Sequence, residues 1–277
     1  MGSTLRRVSY VFLCTGPLLA FILVSLRALR IPGVYQATGG VLFAAILIAA
    51  WTVGARSVIG GAEAEQRVAL SGGLLITPFA LGLLLWVGLG PPWLATPAEN
   101  VMRYVVLLVS SVAVAGGFIV LKEALSEAGE RSYSTLGLAA ALLAGCAYLV
   151  WMCFALGASI GRVRDGQMPS AIVSLNGVLD ILLYVACFLT YVATAAFAVA
   201  CGRSGWLGRN AARAYVVASA IALMFLMARG ISYPDPKALS TPWYTQPGFI
   251  VGIPAVPFIM PHLLGVVLLR RAGDRKV

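Results

Sequence analysis

The sequence predicts an all-α integral membrane protein: a bundle of about eight transmembrane helices forming a single polytopic domain over residues 1–277, with N and C termini cytoplasmic. Three observations predict it. The chain is 60% hydrophobic and 11% charged with a mean hydropathy of +0.93, whereas soluble domains carry roughly 45–50% apolar and 25% charged residues. Its charge is gathered into short clusters between long apolar runs, as in a chain that meets water only at its connections. The basic residues are also asymmetric: thirteen of the 20 Lys and Arg, among them Arg56, Arg67, Arg203, Arg209, Arg213 and Arg270, fall on the side of the N terminus, which places that side in the cytoplasm. The spans are helices because lipid offers no partner to an open backbone, and the alternation of a barrel strand is absent.

The expected spans are 8–27, 36–55, 69–90, 101–121, 134–157, 171–199, 211–228 and 249–269. The first follows Arg6 and Arg7 as a signal peptide would, but it runs on without a small-x-small cleavage site and is read as a helix. The second stops at Arg56, and the third starts after Arg67 and carries Gly72, Gly73 and a kinking Pro78. Arg103 opens the fourth as a boundary anchor, and Lys122 closes it. The link KEALSEAGERS then separates two candidate halves, spans 1–4 and 5–8, and even the longest connection, from Gly230 to Pro247, is too short to bury a core of its own. In the fifth span Gly137, Ala141 and Gly145 recur every four residues, a ridge that lets two helix backbones approach. The seventh lies between Arg209 with Arg213 and Arg229. In the eighth, GFIVGIPAVPFIMPHLLGVVLL, Pro254, Pro257 and Pro261 share one face, so the span kinks strongly or begins unwound, and its freed carbonyls must face protein, water or a ligand.

The sixth span holds the clearest chemistry. Asn176, Asp180, Tyr184, Cys187, Tyr191 and Thr194 stand three or four residues apart and stack along one helix face. That stripe faces the bundle interior or a water-filled cavity, because a central aspartate costs roughly 2.5–3.5 kcal/mol to insert. Counted from residue 171, Asp180 lies roughly 13 Å deep, near the midplane of a core about 30 Å thick. It reads as a proton or cation site or a general acid/base, or else as a structural residue joining helices. His262, the one histidine, follows Pro261 and reads either as a partner of Asp180 or as a side chain bonded to a carbonyl that a proline frees. Asn176, Asp180, Tyr184, Tyr191 and His262 are thus the candidate substrate or ion residues. Arg27, Arg30, Arg162, Arg164, Arg229, Tyr233 and Asp235 form a candidate outer entrance, and interfacial anchoring is its simpler explanation.

Several function classes are excluded. One histidine does not furnish a multi-histidine metal centre or bis-histidine haem, so no metal and no cofactor is expected. The nucleophile-elbow, zincin and phosphate-loop motifs are absent, as is a mid-span lysine. The five cysteines lie in or at the ends of spans without a C-x-x-C pair and read as small apolar residues. The net charge of +10 follows from the cytoplasmic bias and does not call for nucleic acid. The expected partners are the lipid bilayer and a small solute or lipid, and the setting expected is a bacterial inner membrane. The sequence points first to a transporter or permease-like protein with a polar cavity centred on Asp180. The alternatives are a metal-independent intramembrane enzyme acting on a lipid or isoprenoid, and an accessory or scaffold subunit of a larger membrane complex.

Overall fold

The computed structural model describes residues 3–25, 34–89, 95–168, 170–232 and 248–274. Among the described residues every regular element is helical: α1 (Ser3–Ser25), α2 (Val34–Ala50) running into a wide π turn (Trp51–Ala55), α3 (Ser57–Gly60), α4 (Glu63–Leu89), α5 (Pro97–Glu127), α6 (Ser132–Asp165), α7 (Ser170–Ser174), α8 (Asn176–Arg203), α9 (Arg209–Arg229) and α10 (Ile259–Asp274). Two 3-10 turns, Ile250–Gly252 and Val256–Phe258, precede α10. Six stretches among the described residues are long and apolar enough to cross a membrane: Ala37–Gly60, Pro97–Glu127, Ser132–Asp165, Asn176–Arg203, Arg209–Arg229 and Val256–Asp274. They coincide with six of the expected spans, and the other two, 8–27 and 69–90, fall on α1 and α4, each of which carries a proline inside.

Local chemistry sets the helix ends. Thr96 and Glu99 cap α5 reciprocally: the Thr96 amide donates to Glu99 Oε2 at 2.7 Å and the Glu99 amide to Thr96 Oγ1 at 3.3 Å. Glu130, buried, receives the Tyr133 and Ser134 amides at 2.9 and 3.0 Å and so starts α6. Gly166 ends α6 in the left-handed region, φ 71°, returning its amide to the Arg162 carbonyl at 3.1 Å.

The described backbone forms two compact units, one drawn from residues 1–124 and 261–277 and the other from 125–260. The division differs from the halves suggested by the charged link, because α10 folds with the first helices. In the first unit α1, α2 and α4 pack together, and α10 joins them through glycines. A Cβ on Gly265 would lie 2.8 Å from the Gly72 carbonyl oxygen, and one on Gly72 would lie 2.9 Å from that of Gly265, so α4 and α10 touch backbone to backbone. Gly54, in the wide turn, lies against the Leu269 carbonyl in the same manner. Ser71 Oγ donates to the Gly117 carbonyl at 2.9 Å, tying α4 to α5. Arg6 binds the end of this unit: it donates to the Val53 carbonyl at 3.1 Å and the Arg270 carbonyl at 2.7 Å, and its Nη1 lies 2.8 Å from Asp274 Oδ1. The π turn displaces the usual i−4 acceptors and leaves the Val53 oxygen available to that guanidinium.

In the second unit α8 packs chiefly on α6 and α9. α6 buries Ser134, Gly137, Ala140, Ala141, Ala144 and Ala147 on one face; of the expected ridge Gly137 and Ala141 lie in this seam and Gly145 is only half-buried, and a Cβ on Gly137 would meet the Phe197 ring at 2.8 Å. The pairs Tyr133 with Arg203 and Tyr148 with Cys187 show α6 and α8 to be antiparallel. At the next turn Gly202 meets Ala212, so α9 runs back along α8.

Candidate functional site

The polar face of α8 lies in the second unit and changes character along its length. Asn176 is exposed, Asp180 and Tyr184 are half-buried, and Cys187, Tyr191 and Thr194 are buried. The buried part faces the proline-broken segment. Within that segment the amides of Gly252, Ile253, Val256 and Phe258 bond the carbonyls of Phe249, Ile250, Ile253 and Ala255 at 2.9 to 3.2 Å, in short 3-10 steps. Those steps leave the Val251, Gly252 and Pro254 oxygens without an amide of their own segment, and each finds a side chain. Tyr191 Oη donates to Val251 at 3.0 Å, Tyr148 Oη to Pro254 at 3.3 Å, and Cys187 Sγ to Gly252 at 3.8 Å. Tyr148 Oη and Cys187 Sγ are themselves 3.5 Å apart, and the Tyr148 ring lies on Phe258 with centroids 5.1 Å apart. The freed carbonyls thus face protein, which accounts for the lower half of the stripe as backbone satisfaction. Thr194 belongs to neither set of contacts, since its hydroxyl donates back to the Thr190 carbonyl at 2.9 Å.

This division makes a prediction. Tyr191→Phe should lower stability by about 0.5–1.5 kcal/mol, because one carbonyl then lacks a donor. Thr194→Val should cost clearly less, since the Thr190 carbonyl keeps its place in the helix. Thermal melting of the two purified variants in one detergent checks the order.

Asp180 and Tyr184 occupy the other end of the stripe. The helix breaks at Leu175, so Asp180 is the fifth residue of α8 and about 6 Å from its start; the greater depth reckoned from residue 171 includes the separate turn α7. Arg229, the last residue of α9, lies over Tyr184, with its Cζ 6.0 Å from the centre of the ring. The guanidinium lies directly over Gly252, where an added Cβ would come within 2.8 Å of Nε. Arg229, expected at the outer entrance, is therefore brought to the stripe. Arg162 and Arg164 are exposed at the end of α6, where basic side chains complement the helix dipole, and Arg164 pairs with Asp165 at 2.7 Å. Arg27, Arg30, Tyr233 and Asp235 lie outside the described residues.

His262 belongs to the first unit, and its ring is engaged there. It is 1% exposed, lies on Phe79 with ring centroids 4.9 Å apart, and places Nε2 2.8 Å from the Leu13 carbonyl oxygen. Leu13 is four residues before Pro17, whose ring nitrogen has no proton to give it. A carbonyl only accepts, so Nε2 carries the proton and supplies the bond that Pro17 removes. The histidine is thus bonded to a carbonyl freed by a proline, on α1 instead of its own helix.

Two residues escaped the sequence reading. Tyr148 continues the small-residue seam of α6, three residues after Gly145, and that spacing was its only signal. Arg103, read as a boundary anchor, is 1% exposed inside the first unit. It shares a face of α5 with Asn100, Leu107, Ser110 and Val114, all buried, so its helical phase marked it as inward.

No family model, no curated protein and no solved structure matches the chain. Its class rests on its own architecture: apolar helices of membrane-crossing length, joined by backbone-to-backbone glycine contacts and by hydroxyls that serve broken backbone, define a multi-pass membrane protein.

Proposed function

We propose that this protein is a small transporter or permease-like protein of a bacterial inner membrane, with eight spans, cytoplasmic termini, and a polar path that uses Asp180, Tyr184 and Arg229. One observation carries the reading: the broken segment Ile250–Phe258 packs on the polar face of α8, and where that face becomes half-exposed Arg229 lies over Tyr184, one helical turn from Asp180. Discontinuous helices beside intramembrane ionisable residues are the usual construction of transporter sites. Cytoplasmic termini draw support from Arg6, which ties the start of α1 to the end of α10. The enzyme alternative draws none from His262, whose Nε2 is committed to Leu13.

The test is uptake in proteoliposomes under an imposed proton gradient, with a panel of small organic anions and cations and a pH-sensitive dye inside. Wild-type protein should move at least one solute or acidify the lumen above empty vesicles. Asp180→Asn, melting as wild type does, should reduce that movement at least tenfold. Full movement by this variant removes Asp180 from the path, and no movement by the wild type under either gradient direction refutes transport.

A further inference from the structure

At the opposite end of the second unit, where α6 starts, α8 ends and α9 starts, the side chains are strongly basic. Arg203 lies over the Tyr133 ring, Cζ to centroid 5.4 Å, which joins the end of α8 to the start of α6. The contact of Gly202 with Ala212 sets the first turn of α9 against the last turn of α8. Arg209 and Arg213 flank the buried Ala212 and are exposed, as are Arg131 and Arg203. Of the glutamates near this end, Glu130 is buried and spent in capping α6, while Glu127 ends α5.

A preference for cytoplasmic basic residues requires the charge but not this placement. Arg209 and Arg213 are four residues apart, so two like charges share one helix face, and both sit at the helix end where the dipole is positive. The first turn of α9 has no acidic residue and no side-chain cap, so nothing within the helix offsets them. Arg209 and Arg213 are thus placed against their local electrostatics, while Arg203, at the end of α8, and Arg131, before α6, bring three helices into the cluster. Because α6, α8 and α9 are of membrane-crossing length, their ends lie at headgroup level, and Trp206 is half-buried in the intervening turn, as interfacial aromatics are.

We infer that Arg203, Arg209 and Arg213, flanked by Arg131, form a binding surface for the phosphodiester headgroup of an anionic phospholipid. The headgroup supplies the negative charge that the cluster lacks, and guanidinium forks match its paired oxygens. The inference is independent of transport, since it concerns the other end of the unit.

The test uses the full chain in nanodiscs of mixed phosphatidylglycerol and phosphatidylcholine, and reads the lipid retained after transfer to detergent by native mass spectrometry. Wild-type protein should retain phosphatidylglycerol in preference. Arg209→Gln with Arg213→Gln should weaken that preference by about fivefold per arginine removed. Arg162→Gln with Arg164→Gln, at the far end of α6, should leave it unchanged. Arg203→Gln is the second variant and replaces the double one if its melting temperature falls. Equal retention of both lipids by the wild type overturns the inference, as does an unchanged preference in the cluster variants or an equal loss in the far-end pair. Displacement of the bound lipid by millimolar inorganic phosphate would assign the surface to a free anion and overturn it too.

Discussion

Replacing His262 with leucine should lower the stability of the protein by about 1–3 kcal/mol, read as a fall in melting temperature in detergent. The cost arises on another helix. Pro17 deprives the Leu13 carbonyl of its amide, and His262 Nε2, 2.8 Å away and fully buried, is the donor in its place. The same change made in a Pro17→Ala background should cost less than half as much, because residue 17 regains an N–H within reach of Leu13. A His262→Leu penalty of the same size in both backgrounds would show that packing on Phe79, and not the bond to Leu13, is what the ring provides.

Gly265→Ala should be at least as damaging, at about 1–3 kcal/mol or more. The new methyl would lie 2.8 Å from the Gly72 carbonyl oxygen, 2.9 Å from Leu75 Cβ and 3.1 Å from Ile76 Cγ2, and none of these atoms is the mobile end of a long side chain. Relief requires α10 to move away from α4, which also draws on the contact between Gly54 and Leu269. Gly73 is the internal comparison: an added Cβ there meets nothing within 4 Å, so Gly73→Ala should be neutral, or gain up to about 1 kcal/mol of helix propensity. Equal loss in the two variants would exclude a close crossing at Gly72 and Gly265.

The features read correctly from sequence are those set by the solvent or by a single helix. Composition reports the bilayer directly, and charge clusters mark where helices meet water, as at Arg56 and Arg131. The proline triplet predicted a broken entry to the last span because the missing amides are a local covalent fact, and two 3-10 turns occupy it. The buried part of the α8 stripe, Cys187, Tyr191 and Thr194, was legible from its spacing, but its partners were not, and the exposure of Asn176 was not foreseen. That Tyr191 serves Val251 depends on which backbone approaches, and nothing local encodes it. The break at Leu175 carries no proline, and only Gly177 nearby hints at it, so the start of α8 was set too early. The destination of α10 was hidden for a similar reason: Gly265 advertises a close contact without naming Gly72 as the partner. Arg103 was misjudged because arginine at a span boundary ordinarily points outward, while its phase with Leu107 and Val114 pointed in.

The broken segment divides its carbonyls into two sets according to who serves them. Ile250, Ile253 and Ala255 are served by amides of the segment itself, and Val251, Gly252 and Pro254 by Tyr191, Cys187 and Tyr148. Winding the stretch into α-helix would reverse the roles. The amides of Ala255, Val256 and Phe258 would then reach Val251, Gly252 and Pro254, while Ile250 and Ile253 would face the ring nitrogens of Pro254 and Pro257 and receive nothing. The three side-chain donors are placed for one winding only, and in the other they would lose the acceptors they now hold. The hydroxyls and the thiol therefore act as a template for backbone shape: they select which of two hydrogen-bond registers this stretch of the membrane domain adopts.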